Sequence, residues 1–264
     1  MNLTLGHLYG DLLNLYADRG NIITWQQRCA WRGIDLHVRQ IGIGEPLDPA
    51  SLDLLFMGGG QDGDQRLMAH DLFTHKAADL RAALSDHLPM LVVCGGYQLF
   101  GHYYQPATGD RLPGLGLFDL HTIHPGTQVP RCIGNVVLQW DAPFGTRDSL
   151  VGFENHGGRT FLGAGARPLG RVLTGHGNNS RDGTEGAVVN NAYGTYLHGS
   201  LLPKNPHLAD SLLQLALQRR HPGATLAPLD DTLEWRAHDA VLTRYGRSTL
   251  ASPRALALHA PPVA

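Results

Sequence analysis

The chain has 264 residues, of which 42% are hydrophobic and 17% charged, and its formal net charge is −2. This composition suffices for a sizeable buried core, but the near-neutral balance provides no basic surface for a nucleic-acid backbone or a membrane. The three cysteines lack C-x-x-C spacing, which argues against a disulfide framework and a zinc site. The amino terminus has no basic stretch and no apolar run approaches the ~20 residues of a membrane span, so we expect a soluble, cytoplasmic protein.

The first part of the chain alternates between strand and helix patterns. Short apolar runs predict strands at 3–9, 34–41, 52–57 and 89–94, and helical spacing predicts helices at 22–32, at 70–87 and after residue 94. Residues 11–21 are predicted as a loop or a short helix. Alternation of this kind is typical of a parallel sheet with helices on both faces.

The pattern changes near residue 115. Short segments broken by glycine, proline and asparagine predict hairpin and edge strands at 115–123, 131–140, 150–155, 170–175, 185–191 and 193–199. Helices are predicted at 205–220 and within 230–246, before a proline- and alanine-rich tail. We therefore expect an α/β fold of three layers, with a mostly parallel central sheet, flanking helices and antiparallel edge strands. The expected division is one domain at 1–225 and a C-terminal extension at 226–264, a helix followed by a tail.

The stretch "PMLVVCGGYQLFG" places Cys94 where a buried strand gives way to two glycines. A residue on such a strand-to-helix turn is held out from the carboxyl end of the sheet, where open parallel sheets bind ligands. The start of the next helix favours the thiolate, and the N–H of Gly95 is available to an oxyanion. The alternative is a small buried hydrophobe that closes the strand, which is the interpretation that we favour for Cys29 and Cys132.

A thiol nucleophile needs a base, and one histidine occupies an equivalent position. In "YGTYLHGS", a predicted strand ends at His198, which is followed by Gly199. Catalytic Cys–His pairs are close in space rather than in sequence, so His198 is the first candidate. The glycine-rich stretch "ENHGGR" offers His156 as a rival.

These residues resemble the site motifs of class I glutamine amidotransferases. "VCGGYQLFG" is similar to their C-x-G-x-Q nucleophile motif, with Cys94, Gly96 and Gln98 in the motif positions, and "FMGGGQDGDQ" resembles their oxyanion-strand loop. "YLHG" resembles the cobyric acid synthase-like branch (CobB/CobQ), in which glycine follows the histidine. Ser200 stands where other members keep the glutamate of H-P-E, so the usual third member of the triad is missing.

Further motifs narrow the resemblance to the glutaminase subunits of lipid II isoglutaminyl synthases, commonly called GatD. They include "LYGDLLNLYADRGNI", "GFENHGGRT", "GNN" and "GTYLHGSLLPKN", and they spread from residue 8 to residue 205. The resemblance implies a cysteine glutaminase that supplies ammonia to a Mur ligase-like partner of the MurT type within a heterodimer. The partner would use ATP and magnesium to amidate the D-glutamate of lipid II to D-isoglutamine. No cofactor or metal is expected in this chain, which has no P-loop motif.

The resemblance also implies roles for individual residues. Cys94 would attack the side-chain amide of glutamine, and the N–H groups of Gly95 and of Gly59 or Gly60 would hold the resulting oxyanion. His198 would protonate the leaving ammonia and then activate water.

Three other positions complete the candidate site. Asp18 is the candidate third triad member suggested by the resemblance, although it could instead cap the helix that begins near Ile22; Glu154 is a second candidate. Arg131 would bind the α-carboxylate of glutamine through its guanidinium fork, unless it is an exposed strand-edge charge. Gln98 would line the pocket, unless it is merely solvated.

Other functions are compatible with parts of this pattern. One alternative is an amidotransferase domain that acts on a corrinoid precursor, although such proteins normally carry an ATP-using domain on the same chain. Another is a stand-alone cysteine hydrolase. A third, from a different class, is a binding module that keeps the amidotransferase fold without turnover.

Overall fold

The computed structural model describes residues 1–14, 18–60, 62–140, 147–199 and 201–246. Its helices are α1 (Arg19–Ala30), α2 (Asp62–Asp71), α3 (Ala77–Ser85), α4 (Gly95–Phe100), α5 (Leu201–Lys204), α6 (Pro206–Arg220) and α7 (Thr232–Tyr245). Its strands are β1 (Asn2–Leu8), β2 (Asp35–Ile41), β3 (Leu54–Met57), β4 (Met90–Val93), β5 (Tyr103–Gln105), β6 (Leu112–Pro113), β7 (Leu120–Ile123), β8 (Cys132–Gln139), β9 (Ser149–His156), β10 (Arg159–Leu162), β11 (Gly170–Thr174), β12 (Thr184–Glu185), β13 (Ala187–Val189) and β14 (Ala192–Thr195). Ser200 and the predicted tail at 247–264 lie outside the described residues.

Six strands form the central sheet, in the order β13-β14-β4-β3-β1-β2. Neighbouring strands are parallel except for β13 and β14, which form an antiparallel pair at one edge. Every residue of β3, β4 and β14 is buried, as expected for parallel strands that are covered on both faces. The predicted α/β fold with a mostly parallel central sheet is therefore confirmed.

The carboxyl ends of the parallel strands bring distant parts of the chain to one edge of this sheet. The register pairs Val93 at the end of β4 with Thr195 at the end of β14. The strand order also reverses between β1 and β3, because β2 lies on one side of β1 and β4 lies beyond β3; such a switch point opens a crevice. Cys94, His198 and the glycine loop at 58–60 all leave strands at this edge.

Most of the β-rich segments in the second half of the chain form two smaller sheets. One has the order β10-β7-β5-β6 and the other β12-β11-β8-β9. Strand β14 is an exception, because it lies inside the central sheet between β13 and β4 rather than at an edge. Strands β5 and β10 were absent from the sequence prediction, since runs of three and four residues carry too little periodicity to be recognised.

Helix predictions differ from the structure mainly in their ends. The helix predicted at 70–87 begins earlier, with α2, and reaches α3 through a π-helical turn at Leu72–Lys76. The predicted helix within 230–246 is present as α7. It packs on the rest of the molecule through His238, which is fully buried and bonds to the carbonyl oxygen of Lys204 at 2.8 Å. None of the helices among the described residues is both long and apolar enough to cross a membrane.

Candidate active site

Cys94 occupies a strained turn between β4 and α4. Its backbone has φ 50° and ψ −103°, in a region that residues with a side chain rarely adopt. A Cβ on Gly96 would come within 3.0 Å of the Gly58 carbonyl oxygen, so the turn needs a glycine there. The N–H of Cys94 donates to the carbonyl oxygen of Thr195 at 2.8 Å. The predicted strand-to-helix turn is thus present, and it holds the thiol, 9% exposed, at the carboxyl edge of the sheet.

The side chains of His198 and Asp18 form a buried pair. Nδ1 of His198 lies 3.2 Å from Oδ1 of Asp18, and both side chains are at most 1% exposed. Oδ2 of Asp18 accepts the N–H of Gly59 at 2.7 Å. Asp18 stands at the N-cap of α1, but its carboxylate makes no capping bond to that helix. Of the two interpretations of Asp18, the geometry therefore favours the partner of the histidine.

Cys94 and His198 meet over the backbone of Gly59. A Cβ on Gly59 would lie 3.0 Å from Cβ of Cys94 and 3.1 Å from Cε1 of His198, so only a residue without a side chain fits between them. Burial alone disfavours the imidazolium, but the hydrogen bond and charge interaction with Cys94, together with the bond to Asp18, raise the pKa of His198 above its usual value. The arrangement therefore favours the protonated, imidazolium form of His198 beside Cys94.

Two of the three predicted oxyanion donors remain available. The N–H of Gly59 is already donated to Asp18, so its prediction as an oxyanion donor is wrong. The N–H of Gly95 opens α4, where an amide has no acceptor within its own helix. A Cβ on Gly95 would lie 3.1 Å from the backbone nitrogen of Gly60, so the two residues are in close contact. Gly60 and Gly95 therefore stay the candidate oxyanion donors.

Glu154 and His156 form a second buried group, and His156 also lines the cavity that opens at Cys94. The two carboxylate oxygens of Glu154 accept the N–H groups of His176 and Gly177 at 2.7 and 2.9 Å. Nε2 of His156 lies 3.6 Å from the Glu154 carboxylate, and its ring stacks on Tyr196 with centroids 3.6 Å apart. Burial lowers the pKa of His156 despite this neighbouring acid. His156, the rival candidate for the base, therefore lies next to Glu154, the second candidate for the triad acid.

A cavity of about 450 Å³ opens at Cys94 and has Gln98, Arg131 and Asn155 among its lining residues. Nε and Nη2 of Arg131 donate to the side-chain oxygen and the carbonyl oxygen of Asn155, both at 3.0 Å. This pair of bonds orients the guanidinium, and Nη1 has no hydrogen-bond partner among the residues that the structure describes. Gln98 is buried rather than solvated, and its Nε2 donates to the hydroxyl of Tyr196 at 3.2 Å. No cluster of three metal-ligating side chains occurs in the described part of the chain.

The profile of the CobB/CobQ-like glutamine amidotransferase domain matches residues 4–206. The chain belongs to this family. It is 40% identical to the GatD subunit of lipid II isoglutaminyl synthase (glutamine-hydrolyzing) of Staphylococcus aureus, over 93% of this chain and 97% of that protein. It is 36% identical to the GatD subunit of Streptococcus pneumoniae, over 83% of this chain and 82% of that protein.

More distant relatives share this domain or this fold. A cobyric acid synthase of Pelotomaculum thermopropionicum is 34% identical over 62% of this chain and 32% of its own length. A solved glutamine amidotransferase from Thermotoga maritima has a TM-score of 0.51 at 14% identity, over 90% of this chain and 93% of that one. At that identity the likeness concerns the fold alone.

Sequence analysis assigned no role to three residues of this amidotransferase that lie within the motifs quoted above. Gln65 lies in "GGGQDGDQ", Asn155 in "GFENHGGRT" and Tyr196 in "YLHG". In the structure Gln65 lines the cavity, Asn155 orients the arginine and Tyr196 bonds to Gln98. Their motif membership was a signal, but only the folded arrangement shows what each side chain contacts.

Proposed function

We propose that this amidotransferase hydrolyses L-glutamine to glutamate and ammonia through a thioester on Cys94. The observation that carries the proposal is the assembly of Cys94, His198 and Asp18 beside a cavity that has an arginine at its wall. A nucleophile, a base and an orienting acid in contact are the arrangement that nucleophilic catalysis requires.

In the first half-reaction, the Cys94 thiolate attacks the side-chain carboxamide carbon. A C–S bond forms, and the carbonyl electron pair moves to oxygen, where the N–H groups of Gly60 and Gly95 stabilise the oxyanion. Each such donor contributes about 3 kcal/mol to the transition state. The imidazolium of His198 then gives its proton to the amide nitrogen. The C–N bond breaks, ammonia departs, and the glutamyl group remains on Cys94 as a thioester.

In the second half-reaction, neutral His198 removes a proton from water, which attacks the thioester carbon. The C–S bond breaks, glutamate leaves, and the thiolate–imidazolium pair is restored. Asp18 accepts a hydrogen bond from Nδ1 throughout, so that Nε2 exchanges the proton and the positive charge of the ring is stabilised.

Arg131 is proposed to bind the α-carboxylate of glutamine. Its guanidinium is oriented by two bonds to Asn155 and lines the same cavity as Cys94. A planar guanidinium matches a carboxylate in geometry as well as in charge. Gln98, fixed by its bond to Tyr196, would form the adjacent wall of the pocket.

The proposed fate of the ammonia is amidation of a cell-wall precursor. The GatD relatives are named as subunits of lipid II isoglutaminyl synthase, so we infer a heterodimer with a Mur ligase-like synthetase of the MurT type in the cytoplasm. That partner would bind ATP and magnesium and would reach the D-glutamate of lipid II. This chain, which lacks a P-loop motif, would contribute the glutaminase and no cofactor.

The test is ammonia release from L-glutamine by the full chain, alone and with a co-purified Mur ligase-like protein, lipid II and ATP. Cys94→Ala and His198→Ala should abolish release, whereas Cys29→Ala, which changes a thiol buried in α1, should retain it. A folded wild-type chain that binds glutamine but never releases ammonia would favour the binding module. Replacing lipid II by a corrinoid acid tests the second candidate acceptor, which the likeness to cobyric acid synthases supports.

A further inference from the structure

Gln65 is a buried side chain at the cavity whose contacts the mechanism above does not use. It belongs to α2, which follows the glycine loop, and it is 2% exposed. Its amide nitrogen lies 2.7 Å from the position that a Cβ on Gly95 would take. The side-chain amide of Gln65 is therefore next to the residue that follows the nucleophile.

Hydrogen bonds fix which way round this amide lies. Nε2 of Gln65 donates to Oε1 of Gln98 at 3.3 Å and to the carbonyl oxygen of Gly60 at 3.5 Å. On its other side, Nε2 of Gln98 lies 3.2 Å from the hydroxyl of Tyr196, which also bonds to Thr160 at 2.6 Å. The carbonyl oxygen of Gly60 can only accept, so reversing Gln65 would set its oxygen against that acceptor, and the observed orientation is the favoured one.

This orientation leaves Oε1 of Gln65 as an acceptor without a donor. The atom is buried and has no hydrogen-bond partner among the described residues. A buried acceptor of this kind costs roughly 1–3 kcal/mol when it stays unsatisfied, and such a group needs an explanation. Gln65 lines the cavity that opens at Cys94, and this cavity has room for a ligand that brings such a donor.

We propose that Oε1 of Gln65 accepts an N–H of the substrate's side-chain carboxamide and so selects a primary amide. The inference rests on the proposed glutaminase function and adds a specificity-determining residue to it. A carboxamide nitrogen brings the hydrogen that this acceptor lacks. The carboxylate of the product glutamate brings only lone pairs, and so does an ester oxygen, so both meet Oε1 without a hydrogen bond.

The experiment compares two substrates of the full chain, L-glutamine and the γ-methyl ester of L-glutamate, through the glutamate that both release. In Gln65→Leu, the preference for glutamine, taken as the ratio of the two kcat/KM values, should fall about tenfold, as expected for one hydrogen bond to a buried acceptor. Gln218→Ala, which changes an exposed glutamine on α6, should keep the wild-type ratio. An unchanged ratio in Gln65→Leu would overturn the proposal, even if both rates fall, because that result describes a purely structural side chain.

Alkylation of Cys94 by the diazo-ketone analogue of glutamine checks that the variant is folded. The analogue has no carboxamide N–H, so Gln65→Leu should be labelled at close to the wild-type rate. Loss of labelling in a variant with wild-type circular dichroism would overturn the proposal, because Gln65 would then act on the nucleophile itself. Failure of the proposed function is a different result, since wild-type protein would then neither release glutamate nor be labelled.

Discussion

Replacing Asp18 by asparagine removes one charge from the Cys–His site at almost constant size. One oxygen of Asp18 lies 3.2 Å from Nδ1 of His198, and the other accepts the N–H of Gly59 at 2.7 Å. Asparagine has a single acceptor oxygen, so it can satisfy only one of these donors. The shorter bond favours Gly59, which turns the NH₂ group towards the imidazole. That contact stabilises the tautomer with its proton on Nε2, which cannot take a proton from water.

We expect kcat for glutamine hydrolysis to fall about 10- to 100-fold in Asp18→Asn. A hydrogen bond to a charged group contributes about 1.5–3 kcal/mol, and each 1.36 kcal/mol is a factor of ten in rate. The pH dependence should also change, because Asp18 helps to raise the pKa of His198. Loss of its charge lowers that pKa, so the imidazolium deprotonates earlier and the alkaline limb of kcat/KM moves to lower pH.

Ammonia release measured across acid and alkaline pH gives both quantities. The matched control is Asp35→Asn, which changes an exposed aspartate that also pairs with a histidine, His37, at 3.1 Å. This control should keep the wild-type rate and profile. Full activity of Asp18→Asn with an unmoved alkaline limb would refute the triad role of Asp18.

Three further changes probe the neighbouring geometry. Gly59→Ala should lower kcat at least about tenfold, because its Cβ would come within 3.1 Å of both the nucleophile and its base. The control Gly42→Ala, whose Cβ meets nothing closer than 4.0 Å, should keep the wild-type kcat. Equal rates in the two variants would contradict the packing around Gly59. Asn155→Ala should raise KM for glutamine about fivefold at nearly constant kcat, since Arg131 loses the bond from its Nε to the Asn155 side chain and keeps only the bond to the backbone carbonyl oxygen. A fall in kcat alone would exclude a binding role. Burial raises the pKa of Glu185 to about 8 from 4.5 in the unfolded chain. Burial disfavours the charged carboxylate, so the folded protein keeps Glu185 neutral to a higher pH than the unfolded chain does. Its contribution to the free energy of unfolding is therefore present below pH 4.5 and lost as the pH rises through about 8. Urea unfolding of Glu185→Gln should accordingly show a stability advantage over wild type that grows across this interval, by up to about 1.36 kcal/mol per pH unit; a constant difference would show that Glu185 is ionised throughout.

The local features of the site followed from sequence patterns. An apolar run that stops at a cysteine before two glycines predicted the turn at Cys94, because only such a backbone can leave a strand so sharply. The alternation of strands and helices predicted the parallel sheet, and a parallel sheet aligns its carboxyl ends. Cys94 and His198 could therefore be assigned to one edge before their distance was known.

The choice between rival partners depended on the tertiary structure. Asp18 and His198 are 180 positions apart in the chain, and the contact between them depends on how β1 and β14 are placed in the sheet. The same holds for Glu154, whose carboxylate is held by the backbone near residue 176, and for Gly59, whose N–H is taken by a carboxylate from another loop.

The sequence by itself thus determined the fold class, the turn that presents the thiol and the set of residues from which the site is drawn. The tertiary structure decided which glycine amide is bonded to Asp18, which acid contacts the histidine and which acceptor of Gln65 has no donor among the described residues. The physical reason is that hydrophobic periodicity and turn chemistry act over a few neighbouring residues. Hydrogen bonds between side chains and distant backbone are set only when strand order and register have brought those groups together.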